Sequence, residues 1–326
     1  PHKVAAAKIP GSSRLSTDML SRVAENLYWL ARYLERAENT ARLIRSYNHL
    51  IMDIPKGTEP SWMVLVDILD ARADYEDRFQ QQSELNVHKF LVTSATEHNS
   101  IRFAINRARD NLRITRDALP EEAWEQVNEL KILADERAHT STSRSNRLAL
   151  LDEVIHKSQA LTGLLQTTAP RDHAYRFMTL GRMIERADMT ARIIDVGAAD
   201  LLDREGAFSG VEPILWGALL EAISGKSAYR RVMGPIVEQA PMISFVFKEA
   251  SFPRSLFFCV EIIRRELKRL PRHKNALTRA ENIRRRLQRF KSTEEERLKL
   301  HKFIDNLQLA INKLDEEISL SWFART

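Results

Sequence analysis

Residues 30–44 and 180–194 of this 326-residue chain match at nine of fifteen positions, at an offset of 150. The shared skeleton is Leu30-x-Arg32-x-x-Glu35-Arg36-Ala37-x-x-Thr40-Ala41-Arg42 against Leu180-x-Arg182-x-x-Glu185-Arg186-Ala187-x-x-Thr190-Ala191-Arg192. Two further anchors follow in order. Trp62 and Tyr75 recur as Trp216 and Tyr229, offset 154, and Ile101-Phe103-Ile105-Ala108-Arg109-Leu112 tracks Leu256-Phe258-Val260-Ile263-Arg264-Leu267, offset 155. Ordered anchors with a slowly growing offset indicate a tandem duplication of a unit of about 150 residues. The boundary falls near Ala169-Pro170, giving units 19–169 and 170–326.

Each unit reads as helices. Val23, Leu27, Leu30, Leu34, Ala37, Ala41 and Ile44 repeat at spacings of three, four and seven, predicting a helix over about 18–50 capped by Asp18. Further helices are predicted near 61–79, 83–92, 99–119, 120–139 and 148–166, with 140–146 as a loop. Only 10 Gly occur, too few for the frequent turns of an all-β fold, and none forms a phosphate-binding loop. No alternating strand pattern appears. The expected fold is all-α, about a dozen helices in two units that share one core as a pseudo-twofold bundle.

Residues 1–18 lack periodicity and are read as cloning residues or a linker from an upstream domain. No apolar run reaches 18 residues and no signal segment is visible, so the expected location is cytoplasmic. The single cysteine, Cys259, sits in an apolar run and reads as a packing residue, which excludes a disulfide framework.

Residues 20–42, from Leu20-Ser21-Arg22 through Leu34-Glu35-Arg36-Ala37-Glu38 to Arg42, resemble the opening signature of the alpha-E family. That is a bacterial all-helical family named for its Glu-Arg motif. Ser100-Ile101, Arg107-Ala108-Arg109-Asp110-Asn111, Trp124 and Asn128 resemble its later motif. The resemblance covers roughly 19–320, and members begin at the equivalent of Met19. The family brings no catalytic residues to carry over. Its members are often encoded beside, or fused to, a circularly permuted ATP-grasp ligase and a transglutaminase-like protein. The resemblance therefore implies an accessory or partner protein in peptide- or amide-bond formation. The alternative is an enzyme acting at the Glu-Arg residues on a small polar, aminoacyl or peptidyl substrate. The second copy departs from the signature, with Tyr175, Met178 and Thr179 in place of Glu25, Tyr28 and Trp29.

Four groups of residues bear on chemistry. Arg32, Glu35, Arg36 and Arg42 share a face of the first helix with Glu25, Tyr28 and Asn39, opposite the apolar stripe. Their counterparts Arg182, Glu185, Arg186 and Arg192 survive in a copy that has otherwise diverged. They read as a buried polar network, a polar ligand site or a solvated ladder. Glu136-x-x-His139 and Glu153-x-x-His156 have the spacing of di-iron bundles. With 27 Glu and 9 His, chance supplies close to one such pair, so no metal or other cofactor is expected. Asp67, Asp70, Asp74 and Asp77 would line one helical face, able to hold Mg²⁺ only with a second acidic motif, which the aligned segment lacks. Finally, residues 254–302 carry 16 Lys+Arg against 6 Asp+Glu, while the whole chain is only +6. Arg284, Arg285, Arg286 and Arg289 are the candidates there for a surface that meets an anionic partner. Sparse aromatic residues in this tract argue against nucleic acid.

Overall fold

A computed structural model describes residues 13–57, 59–138, 140, 143–202, 212–291 and 299–323. The fold is all-α, with fourteen α-helices and no strand among the described residues. In the first half these are α1 (Ser13–Asp53), α2 (Met63–Ile68), α3 (Arg72–Arg78), α4 (Glu84–His88), α5 (Ile101–Ile114), α6 (Glu121–Ala138) and α7 (Arg144–Thr168). In the second they are α8 (His173–Leu202), α9 (Glu212–Ala222), α10 (Lys226–Met233), α11 (Gln239–Lys248), α12 (Leu256–Leu267), α13 (Lys274–Arg289) and α14 (Leu300–Trp322).

Helix α1 is the spine. Its 41 residues contain no Gly or Pro, so nothing interrupts it for about 60 Å. It starts at Ser13, five residues before the expected cap, because no breaker separates Ser13 from Met19. Asp18 lies inside the helix and does not cap it. Beyond its end, Pro55-Lys56-Gly57 turns the chain, with Gly57 at φ +88°. Helices α5, α7, α8 and α9 all pack on α1. Between Leu27 and Leu50 it is therefore buried on nearly every side, polar positions included.

The second long helix, α8, crosses α1 at Gly181. A Cβ at that position would lie 2.2 Å from the Tyr28 carbonyl oxygen, so only glycine permits the backbone approach. Helices α2, α12 and α14 pack on the remaining faces of α8. One apolar core draws on both halves, joining Ile44, Leu65 and Ile105 to Leu180, Phe245 and Ile263. A smaller cluster joins Leu27, Leu30, Leu112 and Leu161 to Met178.

Matched residues recur in matched roles. The fully buried Tyr75 donates its hydroxyl to Gln81 O at 2.8 Å, and Tyr229 donates to Ile236 O at 3.1 Å. Ser100 and Ser255, each just before its helix, donate to Val92 O and Glu249 O.

One helix expected over 61–79 is two. Asp70 adopts φ +54°, and the Ala71 amide bonds back to Val66 O, which ends α2 before α3 begins. Asp67, Asp70, Asp74 and Asp77 therefore do not share one helical face. Asp67 pairs with Arg72, and the other three are exposed. No helix among the described residues is long and apolar enough to cross a membrane.

Candidate functional site

The Glu-Arg residues of α1 and α8 meet where the helices cross. Spacings of three and four put Arg32, Glu35, Arg36, Asn39 and Arg42 along one side of α1, from which Arg32, Glu35 and Arg36 meet α8. The bonding across the crossing is reciprocal. Arg36 Nε donates to Glu185 Oε1 at 2.5 Å, and Arg186 donates through Nε and Nη2 to Glu35, both at 2.7 Å. Arg32 Nε adds a bond to Glu185 at 2.8 Å.

Two residues from elsewhere complete the lattice. Arg254, in the turn before α12, donates to Glu35 at 3.1 Å and Glu38 at 2.8 Å, and also to Asn39. Asp315 of α14 accepts from Arg32 at 2.7 Å and from the Tyr28 hydroxyl. Around the edge, Arg42 pairs with Glu38 at 2.7 Å and Arg192 with Asp188 at 2.9 Å. The Arg32 guanidinium lies 4.7 Å from the Trp29 ring centroid, a cation–π contact.

The Glu35 and Glu185 side chains are 1% and 4% exposed. Burial alone would raise both carboxyls. Arg186 and Arg254 overcome it at Glu35 and hold that carboxyl well below its usual range, and Arg36 and Arg32 hold Glu185 at about 2. Both are carboxylates, and each accepts three hydrogen bonds from arginines. Asp188 moves the other way, because burial outweighs the pull of Arg192. Burial also pushes the Cys259 thiol up to about 12, so it packs as a protonated side chain. Among the described residues Arg32, Arg36, Arg42, Arg182, Arg186, Arg192 and Arg254 are seven cations against the six carboxylates Glu35, Glu38, Glu185, Asp188, Asp315 and, at the edge, Asp70.

Arg182 stands apart. Its Nε is sealed from solvent and has no acceptor, and no described carboxylate pairs with it. Burial, followed by the neighbouring Arg186, pushes it below the usual arginine range. It lines a pocket between α1, α7 and α8 together with Glu35, Glu38, Ser158 and Tyr175.

Of the eight expected network residues, Arg32, Glu35, Arg36, Glu185 and Arg186 pair across the crossing and Arg42 joins through Glu38, whereas Arg192 pairs with Asp188 and Asp70 and Arg182 with no described carboxylate. The Glu38–Arg42 pair follows from their spacing of four, whereas Arg254 and Asp315 are members that the sequence does not reveal. Arg254 lies in the basic tract, where it counts as one more surface cation, yet it is buried. In that tract Arg284 is held by Glu261 at 2.8 Å and Arg286 donates to Asn306 O, while Arg285, Arg286 and Arg289 are exposed. Arg284 is therefore not a free anion-binding residue, because a half-buried cation of α13 is held by a carboxylate of α12.

For metals, His139 lies outside the described residues, and Glu153 is paired with Arg137 at 2.9 Å. Asp195, His301 and Asp305 bring three ligand atoms within 4.8 Å of one another. There His301 Nδ1 already bonds Asp195 at 2.8 Å, with His301 and Asp305 both exposed. The one prior signal was the His301-x-x-x-Asp305 spacing.

The model of the Alpha-E family, described as a predicted alpha-helical domain with a conserved ER motif, matches residues 19–323. Similar proteins include an uncharacterized protein of Mycobacterium bovis, 24% identical over 272 residues, and one of Mycobacterium tuberculosis, 23% identical over the same length. Each match covers 77% of this chain but only 30% of the relative. The chain thus spans under a third of the curated relatives it matches. No solved structure matches it significantly.

Proposed function

The chain belongs to the Alpha-E family, and from that premise we propose that it is a helical accessory protein of an amide- or peptide-bond-forming ligase of the ATP-grasp type. The observation that carries this reading is the state of the Glu-Arg lattice. Glu35 and Glu185 are buried and ionised, and each accepts from two arginines. A general acid or base needs a pKa near the working pH, and both carboxylates are held well below it. The lattice instead fixes the crossing of the two long helices and the seat of α12 and α14. Function then falls to outer faces, with the exposed Arg285, Arg286 and Arg289 as the cationic docking candidates.

The length of the relatives supports the same reading. In the mycobacterial proteins the matched stretch is 30% of a longer chain, so this kind of unit occurs joined to further polypeptide. By the family resemblance, the partner is a circularly permuted ATP-grasp ligase or a transglutaminase-like protein.

The test is co-purification. The tagged chain, co-expressed with a circularly permuted ATP-grasp ligase from the same genome, should retain that ligase through gel filtration at low salt and release it as salt rises. A ligase that elutes alone at all salt concentrations removes the reading. One observation favours the second reading, an enzyme or ligand-binding protein. The pocket at Arg182 reaches Glu35 and Glu38, although Arg36, Glu185 and Arg186 do not line it.

A further inference from the structure

Arg32 and Arg182 occupy matched places, yet their surroundings differ by one carboxylate. Arg32 is bracketed by Glu185 and Asp315. At Arg182 the matched glutamate, Glu35, is already taken by Arg186 and Arg254. The residue matched to Asp315 follows from the buried faces of α7 and α14. Leu150, Val154 and Leu161 fall on Leu307, Ile311 and Ile318 at an offset of 157. At that offset Asp315 falls on Ser158.

Ser158 is buried, and its Oγ has no partner. The Arg182 Nε has none either, and both residues line the same pocket. Size follows the same logic. Met178 stands where the other half has Tyr28, and Leu165 stands where it has Trp322. The smaller side chains leave a cavity of about 30 Å³. That volume takes one carboxylate group in place of one or two waters, so the stem of a bound acid lies in the mouth of the pocket, which opens to solvent.

We propose that this pocket binds the carboxylate of a small aliphatic acid, which takes at Arg182 and Ser158 the place that Asp315 holds at Arg32. Charge favours it. Among the described residues Arg42, Arg186 and Arg254 pair with Glu35 and Glu38, which leaves Arg182, bonded to the Tyr175 hydroxyl, without a paired carboxylate, and a desolvated cation without a counter-ion is costly. Leu30, Leu34 and Leu161 give a short aliphatic stem an apolar wall, and the two glutamates that also line the pocket, Glu35 and Glu38, are already held by Arg186, Arg254 and Arg42. Burial already presses Arg182 toward its neutral form, so an arriving anion relieves an existing strain.

The experiment is titration of the full chain with butyrate, and with the neutral butyramide at matched ionic strength, by calorimetry and thermal melting. Butyrate should bind and raise the melting temperature, and butyramide should do neither. Arg182→Met should fold and lose about 10–100-fold in butyrate affinity, the loss of one charge-assisted contact. Ser158→Asp supplies the carboxylate within the chain. It should melt higher than the parent and no longer respond to butyrate. If butyrate acts on the parent chain no more strongly than butyramide or chloride, the proposal fails. It also fails if folded Arg182→Met or Ser158→Asp binds butyrate as the parent does. The isolated chain is assayed, so the outcome is separate from whether a ligase is captured.

Discussion

Replacing Glu35 with alanine removes the one carboxylate that Arg186 touches among the described residues. Arg254 keeps Glu38, but Arg186, 11% exposed, is left with the Pro253 carbonyl at 3.4 Å. Removing one partner of a buried pair costs about 3–5 kcal/mol, because the remaining charge stays desolvated. Unfolding entropy near the transition is about 2.1 cal/mol/K per residue, so roughly 300 folded residues give about 0.6 kcal/mol per degree. Glu35→Ala should therefore lower the melting temperature by about 5–8 °C. Glu129→Ala, which breaks the exposed pair with Lys157, is the control and should shift it by under about 1 °C. Removing both charges, in Glu35→Leu with Arg186→Leu, should cost far less than the sum of the two single changes, because no orphan ion remains. The assay is calorimetric melting of Glu35→Ala, Glu129→Ala, the double variant, its two single leucine changes and the parent. If Glu35→Ala melts with the surface control, or the double variant loses the full sum, the lattice is not a buried coupled unit.

Three further outcomes follow from the same geometry. Gly181→Ala places a methyl group against the Tyr28 carbonyl, which cannot move without shifting α1, so the urea midpoint should fall by the equivalent of about 1–3 kcal/mol or more; an unchanged midpoint refutes the close crossing. Acid should unfold the chain in two stages. Burial lowers His88 from 6.5 to about 3, so stability present above pH 6.5 is lost as pH falls below it; Glu185, lowered from 4.5 to about 2, adds a loss of about 3 kcal/mol below pH 4.5. Urea unfolding that is equally stable at pH 7, 5 and 4 contradicts both. Charge reversal at Arg285 and Arg289 should weaken ligase capture and leave the melting temperature unchanged, whereas reversal at Arg284 also breaks its pair with Glu261 and should lower it.

Much of this was legible in the sequence, and the limits are instructive. The periodicity of residues 23–44 identifies which side chains share a face of α1, but a period says nothing about what covers that face. Here α8 covers the polar side, and the hint was that the copy at 180–194 keeps the same charges. The short-range reading failed at Asp70, where a left-handed residue splits α2 from α3 without any Gly or Pro to announce it. Arg254 and Asp315 were hidden by their company. One sits at the head of a basic tract, and the other opens the run Asp315-Glu316-Glu317, which looks like a solvated acidic face. Both become network members only through contacts across more than 200 residues.

The central claim is that this helical unit acts through a ligase, not by its own chemistry. It is tested most directly by measuring ATP-dependent amide-bond formation by a circularly permuted ATP-grasp ligase from the same genome, alone and with the purified chain added. Turnover should rise with added chain and level off at one chain per ligase, and Arg285→Glu with Arg289→Glu should blunt the rise. Turnover that is unchanged by excess chain, or product formed by the chain with no ligase present, would contradict the account.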